Sequence, residues 1–292
     1  MNWLAIANPA AGRVHEAERL SDWLRQLRDV DAEIVATTGP GDATRLARAG
    51  TAFEGMIAIG GDGTIAEVLR GMDLRRQQLA VLPAGHGNCL ARDLGVADPA
   101  RAIEALQRRV SWPLDLMQAS VGFADGRVDR LLCASTLAVG YVTDVVMFGR
   151  RQLSQLGRAA YAAAAMVVVP ERFEARLSGA EDRGGRKLYT GLVINNTAHL
   201  ANFRGFPDAS VRDGMLDVME QDHGWPRQLL HNLAVLTGSR VFGPTCLRQT
   251  VAERLELRAP RTLMADGELM HDVISVAVEC RAAAAMCVVG RA

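Results

Sequence analysis

Residues 56–72 read MIAIGGDGTIAEVLRGM. A short apolar run ends in Gly60-Gly61-Asp62-Gly63-Thr64, and Ile65, Val68, Leu69 and Met72 then recur at helical spacing. The stretch predicts a strand, a glycine turn and a helix. Glycines at such a junction let the backbone bend sharply and approach a ligand closely. The helix behind them aims its unpaired N–H groups and positive dipole end into the turn. A polyphosphate suits that turn, and Asp62 within it calls for a metal ion, a bound water or a hydroxyl donor as its neighbour. The plainer alternative is a tight turn in which Asp62 and Thr64 cap the helix.

Working outward, residues 3–7 form a continuous apolar run that predicts a buried strand closing at Asn8-Pro9-Ala10-Ala11-Gly12. A helix with Leu20, Trp23, Leu24 and Leu27 on one face is expected next, then a second strand over 34–37. Asp42 is expected to cap a short helix carrying Ala43, Leu46 and Ala47. After the 56–72 unit comes a fourth strand over 79–82, closed by a second glycine turn, Pro83-Ala84-Gly85-His86-Gly87-Asn88, and a helical segment over 90–94. Asp98-Pro99 opens a helix in the preferred order of cap and then proline, running to about Arg109. Strands alternating with amphipathic helices imply right-handed crossovers and a parallel sheet covered on both faces. Ligands of such sheets sit at the carboxyl ends of the strands, where Asn8, Thr37 and both glycine turns fall.

Beyond Trp112-Pro113 the rhythm changes. Strand candidates dominate: 121–123 and 128–134 about Asp125-Gly126, 173–177 and 188–195 about Gly184-Gly185, then 253–257 and 273–278. Helical interruptions are expected at 158–169 and 228–236. The expected fold is therefore α/β plus β: an N-terminal three-layer α/β nucleotide-binding domain over 1–115, and a β-sandwich-like domain over 116–282. Residues 283–292 are expected to pack back onto the first.

Composition narrows the function classes. The 33 basic and 33 acidic residues cancel, removing the electrostatic footprint of a nucleic-acid binder, so any phosphate affinity is local. Five cysteines without CxxC or other metal-ligand spacing point to a reducing compartment and to core filling. The N-terminus opens with a strand rather than a basic segment and a long apolar run, so a cytoplasmic protein is expected. The most apolar stretch, 159–169, is too short to span a bilayer and reads as a core helix or as a surface touching lipid. No GxxxxGK[ST], no GxGxxG opening a helix, no HExxH and no GxSxG occurs, which removes support for Walker ATPases, ordinary dinucleotide dehydrogenases, zinc proteases and serine hydrolases.

GGDGT at 60–64, NPAAG at 8–12, LPAGHGNCLARDLG at 82–95, DGMLD at 213–217 and DGE at 266–268 stand in an order that resembles the diacylglycerol kinase catalytic superfamily. That superfamily includes bacterial lipid kinases, sphingosine kinases and ceramide kinases. The resemblance implies an ATP-binding α/β domain and a β-rich lipid-substrate domain. It implies that Gly60, Gly61, Asp62, Gly63 and Thr64 hold the ATP phosphates, that Asn8 and Thr37 line the nucleotide pocket, and that Gly85, His86 and Asn88 complete it. It further implies Glu268 as general base with Asp266 beside it, and a Mg2+ site at Asp213 with backbone oxygens near Ser210 and Met215. Phosphoryl transfer to an alcohol agrees with such a set, needing alignment, magnesium and a carboxylate to take the hydroxyl proton. Taken alone, Asp266-Gly267-Glu268 also reads as a hairpin turn with two solvated acids, and Asp213-Gly214 as a simple turn.

The chain departs from the family at His86, where a hydroxyl residue is usual, and at Cys89, where an acid is common. Histidine still donates a hydrogen bond and titrates near neutrality. ATP binding is therefore expected to be weaker or more pH-dependent than in a His86→Thr variant, and equal dissociation constants between about pH 6 and 8 would refute this. The implied partner is a lipid with a free hydroxyl. Arg150, Arg151 and Arg158, just before the 159–169 run, could meet anionic headgroups in transient peripheral contact at the inner membrane surface. Asn195-Asn196 and Gly205-Phe206-Pro207 are candidates to face the acceptor. No nucleic-acid partner is expected, and a homodimer is compatible with the family. The alternatives are an NAD kinase-like enzyme, which would keep GGDGT, and a catalytically impaired nucleotide-binding regulator.

Overall fold

The computed structural model describes residues 2–12, 25, 27, 30–85, 87–179, 185–200, 204–237 and 246–290. The chain divides into two compact units: Met1–Leu116 with Val211–Asp213 and Arg281–Ala292, and Met117–Ser210 with Gly214–Cys280. It is mixed α/β, with an α/β N-terminal unit and a strand-rich second unit, as the change of rhythm predicts.

The first unit carries β1 (Trp3–Ala7), β2 (Ala32–Ala36), α1 (Asp42–Ala49), β3 (Gly55–Gly60), α2 (Asp62–Gly71), β4 (Gln78–Pro83), α3 (Cys89–Asp93) and α4 (Pro99–Arg108). The strands lie in the order β4-β3-β1-β2, all parallel. The free edge of β4 is taken by Met286 and Cys287 near the end of the chain, also parallel. Trp3, Ile6, Ile57, Ile59, Leu79 and Leu82 are almost fully buried, each contributing on the order of 1.5–3 kcal/mol by burial. In α2 the expected face is the buried one, with Ile65, Val68 and Leu69 inside. The Asp98 carboxylate accepts from Arg101 N–H and Pro99 opens α4, as its sequence order implies. α1 differs: its N-cap is Gly41, in the left-handed region, and makes no side-chain cap. The Asp42 carboxylate instead accepts from Thr38 N–H at 2.8 Å, while Glu67 accepts from Gly41 and Ala43 N–H. Most of the helix expected around Leu20 to Leu27 lies outside the described residues.

The second unit is antiparallel. From residue 111 on, the elements are β5 (Ser111–Phe123), which like the last strand of the chain belongs partly to the first unit, β6 (Val128–Cys133), β7 (Thr136–Gly140), α5 (Tyr141–Gln152), a 3-10 helix (Ser154–Ala159) and α6 (Ala160–Val167). They continue with β8 (Phe173–Ser178), β9 (Lys187–Tyr189), β10 (Gly191–Asn195), β11 (Leu216–Gln221), α7 (Trp225–Thr237), β12 (Cys246–Thr250), β13 (Ala252–Ala265) and β14 (Glu268–Val288). β13 shifts register between Glu256 and Arg261, so its first half pairs with β8 and its second half with β7. The main core is an apolar cluster that includes Val121, Phe173, Leu192, Val218, Leu255, Leu263 and Val276, with smaller clusters around Phe206 and Tyr141.

Several expectations are corrected here. β5 starts at Ser111 and runs through Pro113, which is exposed, where a missing N–H is tolerated. Residues 188–195 are two strands with different partners, β9 on β8 and β10 on β7 and β11. α5 was not expected; in the mostly apolar run 136–148 only Gly140 separates β7 from it, and periodicity does not distinguish a buried strand from a buried helix there. β14 runs past residue 278 to Val288, bent at Ala283, whose φ is 51°. The Ala283 N–H donates to the buried Asp115 carboxylate at 2.7 Å.

Candidate functional site

In the first unit four strand exits meet at one rim. Parallel register sets Ala7 opposite Ile59 and Gly60 opposite Pro83, so Asn8, Thr37, the 60–64 turn and the 83–88 turn leave the same edge of the sheet. Asn8 Nδ2 donates to Thr64 Oγ1 at 3.1 Å, and Asn8 Oδ1 accepts from Ala10 N–H at 2.9 Å. Thr37, half-buried just beyond β2, donates its N–H to Ala7 O. The two glycine turns touch through their backbones: a Cβ on Gly85 would stand 2.5 Å from Gly61 Cα, and one on Gly61 3.2 Å from Gly85 Cα. No side chain fits between them.

Asn88 ties the second turn, accepting from Gly85 N–H at 3.0 Å and donating to Gly85 O at 2.9 Å, with its own φ at 51°. Asp62 opens α2 and its Oδ1 accepts from Leu90 N–H at 3.4 Å, joining the two turns. Gly61 is the N-cap of α2 and makes no side-chain cap, so the first N–H groups of that helix have no capping side chain within the turn. His86 lies outside the described residues.

In the second unit Asp266 and Gly267 form a two-residue turn between β13 and β14, with Ala265 opposite Glu268. Both central φ values are positive, 47° and 88°, the condition of a type I′ hairpin, which Asp-Gly favours. Asp266 is not a solvated turn acid: it is 3% exposed. Its carboxylate accepts from Ala134 N–H at 2.7 Å, Ser135 N–H and hydroxyl at 2.8 Å each, and Thr136 N–H at 3.0 Å. Successive N–H groups folded around one anion form a nest. Each bond to such a charge is worth roughly 1.5–3 kcal/mol.

The nest is held from below by two buried asparagines. Thr136 Oγ1 donates to Asn195 Oδ1, and Asn196 N–H donates to Ser135 O at 2.8 Å. Asn195 and Asn196 are thus internal fixtures rather than acceptor-facing groups, and Phe206 is likewise core. Glu268, the next residue after the turn, is half-buried. The guanidinium of Arg150 on α5 lies by the same turn, its Nη2 3.3 Å from where a Cβ on Gly267 would be.

Asp213 is exposed, in the turn before β11, with Gly214 at φ 74°. Ser210 and Met215 flank it half-buried. Among the described residues no three His, Cys, Asp or Glu side chains gather as a metal-binding group. One carboxylate with backbone carbonyl oxygens is a hard donor set, which would fit a hydrated Mg2+ and not a thiophilic metal. Cys89, Cys133, Cys280 and Cys287 form no disulfide, and burial pushes the Cys287 thiol up. No helix among the described residues is long and apolar enough to cross a membrane.

Residues 2–119 match the family model of the diacylglycerol kinase catalytic domain. The diacylglycerol kinase of Bacillus subtilis (strain 168) is 31% identical over 228 residues, covering 73% of this chain and 71% of that one. The chain belongs to the diacylglycerol kinase family. A protein named "probable lipid kinase YegS-like" from Xanthomonas euvesicatoria is 26% identical over 292 residues, 91% of this chain and 89% of that one. A crystal structure of a diacylglycerol kinase from Bacillus anthracis str. Sterne shares the fold at TM-score 0.79, with 19% identity over 99% of this chain and 96% of that one. As a family kinase the protein is a phosphotransferase with an alcohol acceptor and ATP as co-substrate. This favours the kinase reading over the NAD kinase-like and impaired-regulator alternatives.

The family motifs locate the glycine turns and the Asp-Gly-Glu hairpin of this kinase, but not what holds them. Ser135 and Thr136 bind Asp266 across roughly 130 residues of chain, a pairing without a local signal.

Proposed function

We propose that the protein phosphorylates the hydroxyl of a membrane lipid, diacylglycerol, a sphingoid base or a relative of these, using ATP and Mg2+. The 60–64 turn, with the helix end behind it, would receive the triphosphate, and Asn8, Thr37, Gly85, His86 and Asn88 would line the nucleotide pocket. Glu268 would take the hydroxyl proton as the phosphoryl group moves. The observation that carries this reading is the hairpin itself. One acid, Asp266, is locked by a nest of donors, and Glu268, two residues on, stands half-buried beside a turn that cannot shift without breaking those bonds. Asp266 then acts as a positioning residue. Magnesium supplies charge neutralisation on the phosphates when bound. Asp213, with backbone oxygens of Ser210 and Met215, supplies hard ligands for such an ion.

The test is incubation with γ-labelled ATP and vesicles containing, in turn, diacylglycerol, ceramide and sphingosine, with and without magnesium. Label should appear in a lipid phosphomonoester only with magnesium. ATP bound with no label in any lipid, and no difference between wild type and Glu268→Gln, would sink the proposal.

A further inference from the structure

α1 and α2 both begin at the rim of the parallel sheet, α1 behind β2 and α2 behind β3, and neither receives a side-chain cap from its own N-cap glycine. Such a start leaves N–H groups and a positive dipole end to be matched from elsewhere. For α1 the match comes from its neighbour. Glu67, on α2, accepts from Gly41 N–H with Oε1 and from Ala43 N–H with Oε2, each at 3.1 Å. The start of α1 is therefore filled by a carboxylate of the chain itself and is not a second phosphate site.

Packing does not hold the loop that leads into α1. Thr38, Gly39, Pro40 and Gly41 are exposed, Gly41 has φ 79°, and a Cβ at Gly39 or Gly41 would meet nothing within 4 Å. Hydrogen bonds hold it instead. Thr37 N–H donates to Ala7 O at 2.8 Å, anchoring the near end to β1. Asp42 accepts from Thr38 N–H at 2.8 Å and from its hydroxyl at 3.0 Å, closing the loop on itself. Glu67 fastens the far end to another helix.

The place of Glu67 on α2 gives that fastening a use beyond stability. Residues four apart share a helix face, so Glu67 stands one turn beyond Gly63 of the 60–64 turn. Further along, α1 and α2 meet backbone to backbone: a Cβ on Gly71 would collide with Thr44 O, and Thr44 Oγ1 donates to Glu67 O at 2.8 Å. The helix that opens in the 60–64 turn thus also sets the path of the loop that carries Thr37.

We propose that Glu67 is a positioning residue of the nucleotide site, holding the 37–41 loop in register with the 60–64 turn through the Gly41 and Ala43 amides. The inference rests on the reading that Thr37 and the 60–64 turn line one nucleotide pocket. Glu67 touches no nucleotide and acts through the loop. A loop with two glycines and no packing would otherwise have to be ordered at the moment of binding, and the carboxylate removes that entropic cost in advance.

The test is calorimetric titration of the full chain with ATP and magnesium, together with amide hydrogen exchange. Glu67→Gln keeps the shape but sets an amide N–H2 against one of the two backbone N–H groups. Its ATP dissociation constant should rise about tenfold. The protection that ATP adds at Gly41 and Ala43 in wild type should shrink in this variant. Thr44→Val removes the other hydrogen bond between the two helices while keeping the β-branch. It should lower Tm by several degrees and leave the ATP dissociation constant within about twofold.

Wild-type affinity in Glu67→Gln would overturn the positioning role. So would a Thr44→Val variant that weakens ATP as much as Glu67→Gln, because the loss would then belong to helix docking. Wild type that binds no ATP would end the nucleotide reading of the rim, and this inference with it.

Discussion

The rim of the first unit and the hairpin of the second are built from opposite materials. At the rim the working surface is main chain: two glycine turns in contact, helix N–H groups behind them, and side chains such as Asn8 and Asn88 that mainly tie the turns. At the hairpin the backbone is fixed by one buried carboxylate, Asp266, so that a different side chain, Glu268, is presented. The difference follows from the tasks. A triphosphate offers many oxygens and is suited by many weak fixed dipoles, whereas a single proton needs one carboxylate at one place.

Substitutions can break that contrast. The largest effect is expected at Glu268→Gln, which keeps shape and removes the base. Phosphoryl transfer should fall by about 10²–10⁴ with the ATP dissociation constant unchanged, measured by initial rates and calorimetric titration. A parallel loss of ATP affinity would mean that the acid serves binding. Gly85→Ala should do the reverse. Its Cβ meets Gly61 backbone at 2.5 Å, and such overpacking costs about 1–3 kcal/mol. ATP affinity should fall roughly tenfold or more with a lower Tm. Unchanged affinity would show that the turns do not carry the nucleotide.

Asp266→Asn should fall between these. One amide N–H2 must then face Ala134, Ser135 or Thr136 N–H, leaving a buried donor unpaired at about 1–3 kcal/mol. kcat should drop without a change in ATP affinity, and Tm should fall by several degrees. A variant matching wild type in kcat would remove the positioning role. The smallest effect is expected at Asp42. The Thr38 N–H and then the Arg45 guanidinium hold its carboxyl below the usual 3.8. A depressed value contributes stability above the unfolded pKa, lost as pH falls through the folded one. Wild type should therefore melt slightly above Asp42→Asn at pH 7, and the gap should close only in strong acid, below 3.8. A gap that persists there would assign the effect to packing.

The rim was legible because its determinants are local. A glycine turn, its strand and its helix lie within 56–72, and the parallel order follows from alternation. The hairpin turn was legible too, but its setting was not. Nothing near residue 266 reports that Ala134, Ser135 and Thr136 will wrap its carboxylate, and the solvated-acid alternative looked equally natural. The same gap explains the missed helix α5, whose Tyr141 hydroxyl meets Asn232 far along the chain. Long-range pairing overrides local pattern where the pattern is weak.

The seat of Met286 and Cys287 beside β4 bears on how the molecule is made. During synthesis β4 emerges long before Met286 and Cys287, so one flank of the sheet stays bare while everything between them is made. An unpaired strand of that kind is an invitation to foreign pairing. The nascent chain therefore carries a sticky border while the intervening residues are translated, and Met286 with Cys287 acts as the closing seam.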